Sequence, residues 1–345
     1  MVQPTRTELA ALGEFGLIDR LAAGVTRYHP QTLKGIGDDA AVIKISDKEV
    51  MVVTTDLLAE GIHFDLAYAP LKHLGYKAVA VNLSDIAAMN AAPRQITVSI
   101  AISNRFSVEA IDELYAGINA ACEAYKVDLV GGDTTSSRAG LVISVTAMGV
   151  AAPDKIAYRS GAKPGEVLCV TGDLGAAYMG LQILEREKRE FVENPEMKPK
   201  LTGSDYLIGR QLKPEARMDV IYELAELGIA PTAMIDVSDG LASEALHLSR
   251  QSGVGIALYE DTIPIDNQTA LAASDFGLVG TTCALNGGED YELLMTFTQT
   301  DFEQVRKKMA SITAIGITRT LDKGNYLHTR GGQQVELMAQ GWASF

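Results

Sequence analysis

Residues 73–91 read HLGYKAVAVNLSDIAAMNA, an apolar run broken by Asn82 and Asp85. At 3.6 residues per turn, Ala78, Val81, Asn82, Asp85 and Met89 fall on one helical face. A helix dominated by Ala and Val packs closely against a sheet. Burying an Asp and an Asn within such a face is costly unless both are satisfied. Strand-like runs lie on either side: AAVIKI (40–45), EVMVVTTD (49–56), QITVSIAI (95–102) and GLVISVTAMGV (140–150). A second helix-like segment, SVEAIDELYAGINAACEAY (107–125), starts at Ser107, a good N-cap residue. Strands alternating with helices predict an α/β layer.

The turn-rich stretch AAPDKIAYRSGAKPGE (151–166) reads as the passage into a second unit. That unit begins with VLCVTG and a helix, and continues with IDVSDGLASEALHLSRQSG (235–253), whose helix should stop at Gly253. The strands GIALYE and YELLMTF follow. The expected division is an N-terminal α/β domain over 1–150 and a C-terminal α/β domain over 151–345. A chain of 345 residues is long for one hydrophobic core, which agrees.

Composition excludes several classes. With 47% hydrophobic and 21% charged residues the chain is globular in type. A formal net charge of −14 and the lack of Lys/Arg-rich runs argue against a nucleic-acid binder. No run reaches the ~18 apolar residues of a membrane span, and the N-terminus reads as an amphipathic helix rather than a leader. Cys122, Cys169 and Cys283 are far apart and lack metal-ligand spacing, so a reducing cytoplasm is expected.

Carboxylates recur at strand ends. GIGDDAAV carries the doublet Asp38–Asp39, with Lys34 the only cation at local pairing distance. Asp56 closes MVVTTD after Thr54 and Thr55, where it suits an N-cap or a metal ligand equally. In LVGGDTTSS, Asp133 follows a strand and Gly131–Gly132; in LNGGEDYELLM, Glu289 and Asp290 follow Gly287–Gly288. Asp236 and Asp239 flank Ser238 at a strand-to-helix junction, where capping accounts for one carboxylate but not two. Two carboxylates about 4 Å apart repel by roughly 4 kcal/mol at an effective dielectric of 20, against a fold stability of about 5–15 kcal/mol. If these segments converge, divalent cations must neutralise them, and an all-oxygen donor set selects Mg²⁺. The chain contains no GxxxxGK[ST] loop, which argues against a P-loop enzyme.

In this order, GIGDDAAV, TTDLLAEGIHF, LGYKAVAVNLSDIAAMNAAP, LVGGDTTSS, YRSGAKPGE, IDVSDGL and GGEDYEL resemble the thiamine-monophosphate kinase family. GEFGLI (13–18) and GWASF (341–345) extend the likeness towards both ends. The wider superfamily is that of aminoimidazole ribonucleotide synthetase. The resemblance implies a two-domain α/β fold whose N-terminal sheets pair across a homodimer. It implies Mg-ATP-dependent phosphorylation of thiamine monophosphate to thiamine diphosphate, in the cytoplasm. It also implies Asp39, Thr54, Thr55, Asp56, Asp85, Asp133, Asp236 and Asp239 as Mg²⁺ ligands, with Asp56, Asp85 and Asp239 central to catalysis. Gly132, Asp133, Arg159 and Ser238 would contact ATP, and His63, Glu289 and Trp342 would bind the thiamine substrate. The alternatives are a superfamily sibling with another acceptor and an idle Mg-nucleotide-binding module.

Overall fold

Val, Ile and Thr alternate with smaller residues along the N-terminal strands, and that period of two puts one face of a sheet inward. The computed structural model describes residues 8–340. In it, β1 (Thr32–Lys34), β2 (Ala41–Lys44), β3 (Val50–Ala59), β4 (Ala92–Ile102), β5 (Asp128–Ser136) and β6 (Val142–Ala151) form a six-stranded sheet. Its order is β1-β2-β3-β6-β4-β5, with only β4 and β5 parallel. Val50, Val52, Thr54 and Leu58 of β3 are buried, whereas Thr55 and Leu57 on the opposite face are exposed.

After α1 (Gly13–Ala22), which leaves Leu21 exposed, two long helices cover the inner face: α2 (Leu71–Ala88) and α3 (Val108–Tyr125). Fourteen residues of α2 are buried, because the helix is enclosed by α3, the first sheet and part of the second unit. Glycines allow the two helices to meet backbone to backbone. A Cβ on Gly75 would stand 2.0 Å from the Leu114 carbonyl oxygen, and one on Gly117 would stand 1.9 Å from that of Lys72. Gly117→Ala is therefore expected to cost about 2–3 kcal/mol through overpacking, read as a lowered urea midpoint. An unchanged midpoint would show that the helices can separate freely. At its C-terminal end α2 stops because Asn90 adopts φ 53°, a left-handed turn that Asn tolerates.

A second, seven-stranded sheet is built from β7 (Val167–Thr171), β8 (Ala233–Asp236), β9 (Val254–Tyr259), β10 (Leu293–Phe297), β11 (Ile312–Thr320), β12 (Tyr326–His328) and β13 (Gln334–Glu336). Its order is β13-β12-β9-β11-β7-β10-β8, antiparallel except for β9 with β12. The central strands β7 and β10 are buried throughout. Helices α4 (Ala176–Glu193), α5 (Asp205–Leu212), α6 (Met218–Leu227) and α7 (Leu241–Ser252) follow. Gly253 ends α7 with φ 67° and the Ser107 side chain caps α3, both as the sequence indicates.

Two strand ends differ from the expectation. β3 does not close at Asp56 but pairs with β6 as far as Ala59. Likewise β5 runs through Gly131, Gly132 and Asp133 instead of ending before them. Gly132 has a packing reason to be glycine, since a Cβ there would lie 1.8 Å from the Val98 carbonyl oxygen of β4.

Candidate active site

Asp85 lies on the face of α2 that meets both sheets, and the Thr54 hydroxyl of β3 donates to it. One residue earlier, the buried Ser84 donates to Asp236 at 2.6 Å, tying α2 to the end of β8. Asn82 accepts the backbone N–H of Asp56 at 3.0 Å and donates to Ala78 O at 3.0 Å. About one turn of helix thus orients three aspartates. Carboxylate oxygens of Asp39, Asp85 and Asp236 lie within 4.8 Å of one another. Burial first, and repulsion from Asp56, Asp236 and Asp39 next, hold the Asp85 carboxyl well above the ordinary carboxylate range. Burial pushes Asp56 up to about 6, and burial with Asp39 close by pushes Asp236 up to about 7.

The Asp38–Asp39 doublet is split between two surroundings. Asp38 faces Lys34 at 3.1 Å and accepts the Arg159 backbone N–H at 3.0 Å. Asp39 turns into the cluster and takes a two-point contact from the Arg159 guanidinium, at 2.7 and 3.2 Å. Part of its charge is therefore met by protein cations, and the long-range partner, Arg159, is not legible from the doublet itself.

From this cluster a cleft of about 650 Å³ runs along α2, whose residues Leu74, Lys77, Val81 and Asp85 form its floor. Asp236, Ser238 and Asp239 close the acidic end; away from them the lining mixes Ile62, Phe64, Tyr68 and Leu212 with the charged Asp65, Glu185 and Lys188. His63 lines the cleft while its Nδ1 accepts the Ala59 N–H at 3.1 Å. Between the two ends stands Glu289, 2.7 Å from Lys77 Nζ and 2.6 Å from Gln211 Nε2. Its loop is strained: Glu289 and Tyr291 have φ 58° and 52°, rare for residues with side chains. Gly288 permits this geometry, since a Cβ there would meet the Ser238 carbonyl at 2.5 Å. Asp290 points the other way and accepts N–H groups of Gly175 and Ala177 at the start of α4, at 2.7 and 3.3 Å. Glu244 braces the facing loop by accepting the N–H groups of Ser238 and Asp239, at 3.1 and 2.8 Å.

Asp56, Asp85, Asp236, Ser238, Asp239, His63 and Glu289 line one cleft; Thr54 stands behind Asp85, Asp39 beside Asp85 and Asp236, and Arg159 on Asp39. Thr55 faces the other side of β3, where its hydroxyl donates to Val145 O at 3.0 Å. Gly132 and Asp133 lie exposed on the edge strand β5. The register Asp56↔Val145↔Val98↔Gly132 places them three strands from Asp56, about 14 Å at ~4.8 Å per strand. Trp342 lies outside the described residues. Lys77, Ser84, Gln211, Glu244 and Tyr291 were not anticipated. Asn82 shared a predicted face with Asp85, which was the available signal.

Two family profiles match the chain: AIR synthase related protein, N-terminal domain, over residues 37–151, and AIR synthase related protein, C-terminal domain, over residues 163–317. The paired sheets and the acidic cleft between them are those of an AIR synthase-related protein. Thiamine-monophosphate kinase of Bacillus subtilis (strain 168) is 34% identical over 97% of this chain and 100% of its own length. That of Aquifex aeolicus (strain VF5) is 35% identical over 84% of this chain and 87% of its own. A solved structure described as AaThiL complexed with AMPPCP and TMP matches with TM-score 0.83 and 32% identity, covering 99% of this chain and 100% of that one. The chain belongs to the thiamine-monophosphate kinase family.

Proposed function

We propose that this chain transfers the γ-phosphoryl group of ATP to the phosphate of thiamine monophosphate, giving thiamine diphosphate and ADP. The observation that carries this reading is the convergence of Asp39, Asp85 and Asp236 at one end of a cleft of about 650 Å³. The family and the relative complexed with AMPPCP and TMP support it.

The donor set fits Mg²⁺: it is all oxygen, mostly buried, and so crowded that its own carboxyls resist ionising without a cation. Asp39, Asp85 and Asp236 would hold the ion, with Thr54, Asp56 and Asp239 beside them; Thr55 and Asp133, which the family resemblance implies as further ligands, do not reach this cleft in the chain. Bound there, Mg²⁺ supplies the positive charge that lets two polyanions approach. The acceptor is already a phosphate oxyanion, so no side chain has to create the nucleophile. The chain's own work is positioning and charge. Ser84, Asn82 and Thr54 fix the aspartates, and Glu244 fixes the Ser238–Asp239 loop, which with Arg159 would take the nucleotide; Gly132 and Asp133, which the family resemblance adds as nucleotide contacts, lie three strands away on the edge strand β5. His63, Glu289 and Trp342 take the thiamine end. Asp56, Asp85 and Asp239 are the residues on which turnover should depend most. An acceptor panel with Mg-ATP and thiamine, thiamine monophosphate or aminoimidazole precursors tests the assignment. Thiamine diphosphate should form from thiamine monophosphate alone, and ADP release only with another acceptor would overturn it.

If Trp342 stacks on the thiamine rings, Trp342→Ala removes a contact made equally in ground and transition states. KM for thiamine monophosphate should rise by the equivalent of about 1–3 kcal/mol with kcat and the KM for ATP little changed. Equal losses for both substrates would place Trp342 elsewhere.

The division at residues 150/151 and a cytoplasmic location belong to the same reading; among the described residues no helix is long and apolar enough to cross a membrane. So does a homodimer. Leu57, Ile36 and Val130 of the first sheet and its approaches are more than half exposed, which suits an outer face covered by a second copy. Sedimentation at micromolar concentration should give about twice 36.8 kDa. A clean monomer would remove the shared-sheet arrangement.

A further inference from the structure

Tyr291 is half-buried, lines the cleft, and takes no part in the chemistry set out above. Its backbone holds the left-handed φ of 52°, uncommon for a residue with a side chain. Main-chain hydrogen bonds keep it there. The Tyr291 N–H donates to Val237 O at 2.9 Å, and the Val237 N–H donates to Glu292 O at 2.7 Å. The Glu289 N–H donates to Ser238 O at 2.6 Å. Tyr291 is thereby laced to the stretch that carries Asp236, Ser238 and Asp239, at the acidic end of the cleft.

Glu289, Asp56, Asp236 and Asp85 stand close enough that their charges add to burial in holding the Tyr291 phenol well above its ordinary value. The hydroxyl keeps its proton and is a neutral donor. It has no hydrogen-bond partner among the described residues. Neighbouring donors are committed: Ser84 to Asp236, Thr54 to Asp85, Ser238 to Glu244, and Lys77 and Gln211 to Glu289. A donor set amid four carboxylates and bound to none is free for another oxyanion. Glu289 acts on the phenol more strongly than the three aspartates do, so the hydroxyl stands between the thiamine end and the cation site. A substrate with its rings at Glu289 and its phosphate at the aspartates carries that phosphate past Tyr291.

We propose that the Tyr291 hydroxyl is a substrate-binding donor that holds a non-attacking phosphate oxygen of thiamine monophosphate. The proposal rests on the thiamine-monophosphate kinase reading. Neutrality matters for this role. A lysine would draw charge from the acceptor, whose oxyanion is the nucleophile, whereas a phenol orients the phosphate and leaves most of its charge in place. The bond is present before and during transfer, so it serves binding and orientation more than turnover.

Tyr291→Phe tests this, because it keeps the ring and the loop and removes one oxygen. The KM for thiamine monophosphate should rise roughly ten- to a hundredfold, as for a lost hydrogen bond to a charged group. The turnover number, the KM for Mg-ATP and the competitive inhibition constant of thiamine, which lacks the phosphate, should change little. The melting temperature in EDTA should not fall, since the hydroxyl has no protein partner to lose. An unchanged KM for thiamine monophosphate overturns the proposal. So does an equal rise in the thiamine constant, which would place the hydroxyl at the rings, or a rise confined to Mg-ATP, which would place it on the nucleotide. A lowered melting temperature with all constants worsened together marks a structural role and overturns it as well. Failure of the wild-type chain to make thiamine diphosphate would instead overturn the underlying reading, so the two failures are distinct.

Discussion

Asp85→Asn is expected to lower kcat by about 10²–10³ while making the protein more stable in EDTA. Asp85 is half-buried on the floor of the cleft, and its carboxylate lies close to those of Asp56, Asp236 and Asp39. Asparagine keeps an oxygen for the Thr54 hydroxyl and removes a carboxyl whose ionisation the folded state opposes. Without a cation the folded state should therefore gain. With Mg-ATP present the same change removes a ligand and part of the preorganised field, for which losses of about 10²–10³ in turnover are usual. Melting curves in EDTA and steady-state rates in Mg²⁺ check the two halves. A variant that is both active and no more stable would make Asp85 an ordinary buried side chain.

Removing the cation from the wild-type chain should make stability fall with rising pH. Burial pushes Asp56 up to about 6 and Asp236 up to about 7, whereas in the unfolded chain both titrate near the ordinary value of 3.8. The folded state then keeps protons that the unfolded state has released. The stability from these groups is fully present below about pH 4 and is lost as pH climbs through 6 and 7. Mg²⁺ favours the ionised forms and should flatten the slope, adding about 2.7 kcal/mol at a hundredfold excess over its dissociation constant. Urea titrations from pH 4.5 to 8, with EDTA or Mg²⁺, measure this directly. A metal-free profile that rises with pH would mean that the carboxylates are stabilised by partners rather than crowded.

Much of the fold was legible because local chemistry and tertiary outcome agree. The Ala/Val helix carrying Asn82 and Asp85 is α2, and the Asp236–Asp239 junction is the turn between β8 and α7. Strand ends at carboxylates were read less well, because β3 and β5 continue through Asp56 and Asp133 on ladder pairing that one strand's sequence does not reveal. The adjacent pair Glu289–Asp290 looks like one acidic feature, yet one side chain faces the cleft and the other caps α4. Arg159 meets Asp39 across 120 positions of chain, a distance over which sequence carries no pairing signal. Lys77 is hidden for a different reason: inside an apolar helical run it reads as a solvated charge, and only the fold shows Glu289 waiting for it.

Aspartates from both sheets and α2 meet beside the cleft, and the proposed function makes them one cation site for phosphoryl transfer. Its most direct test is a crystal grown with Mn²⁺, a non-hydrolysable ATP analogue and thiamine monophosphate, measured for anomalous scattering. A peak is expected, bounded by the carboxylates of Asp39, Asp85 and Asp236 and in contact with the phosphates of the nucleotide. Manganese bound elsewhere, with these three aspartates left without an ion, would contradict it.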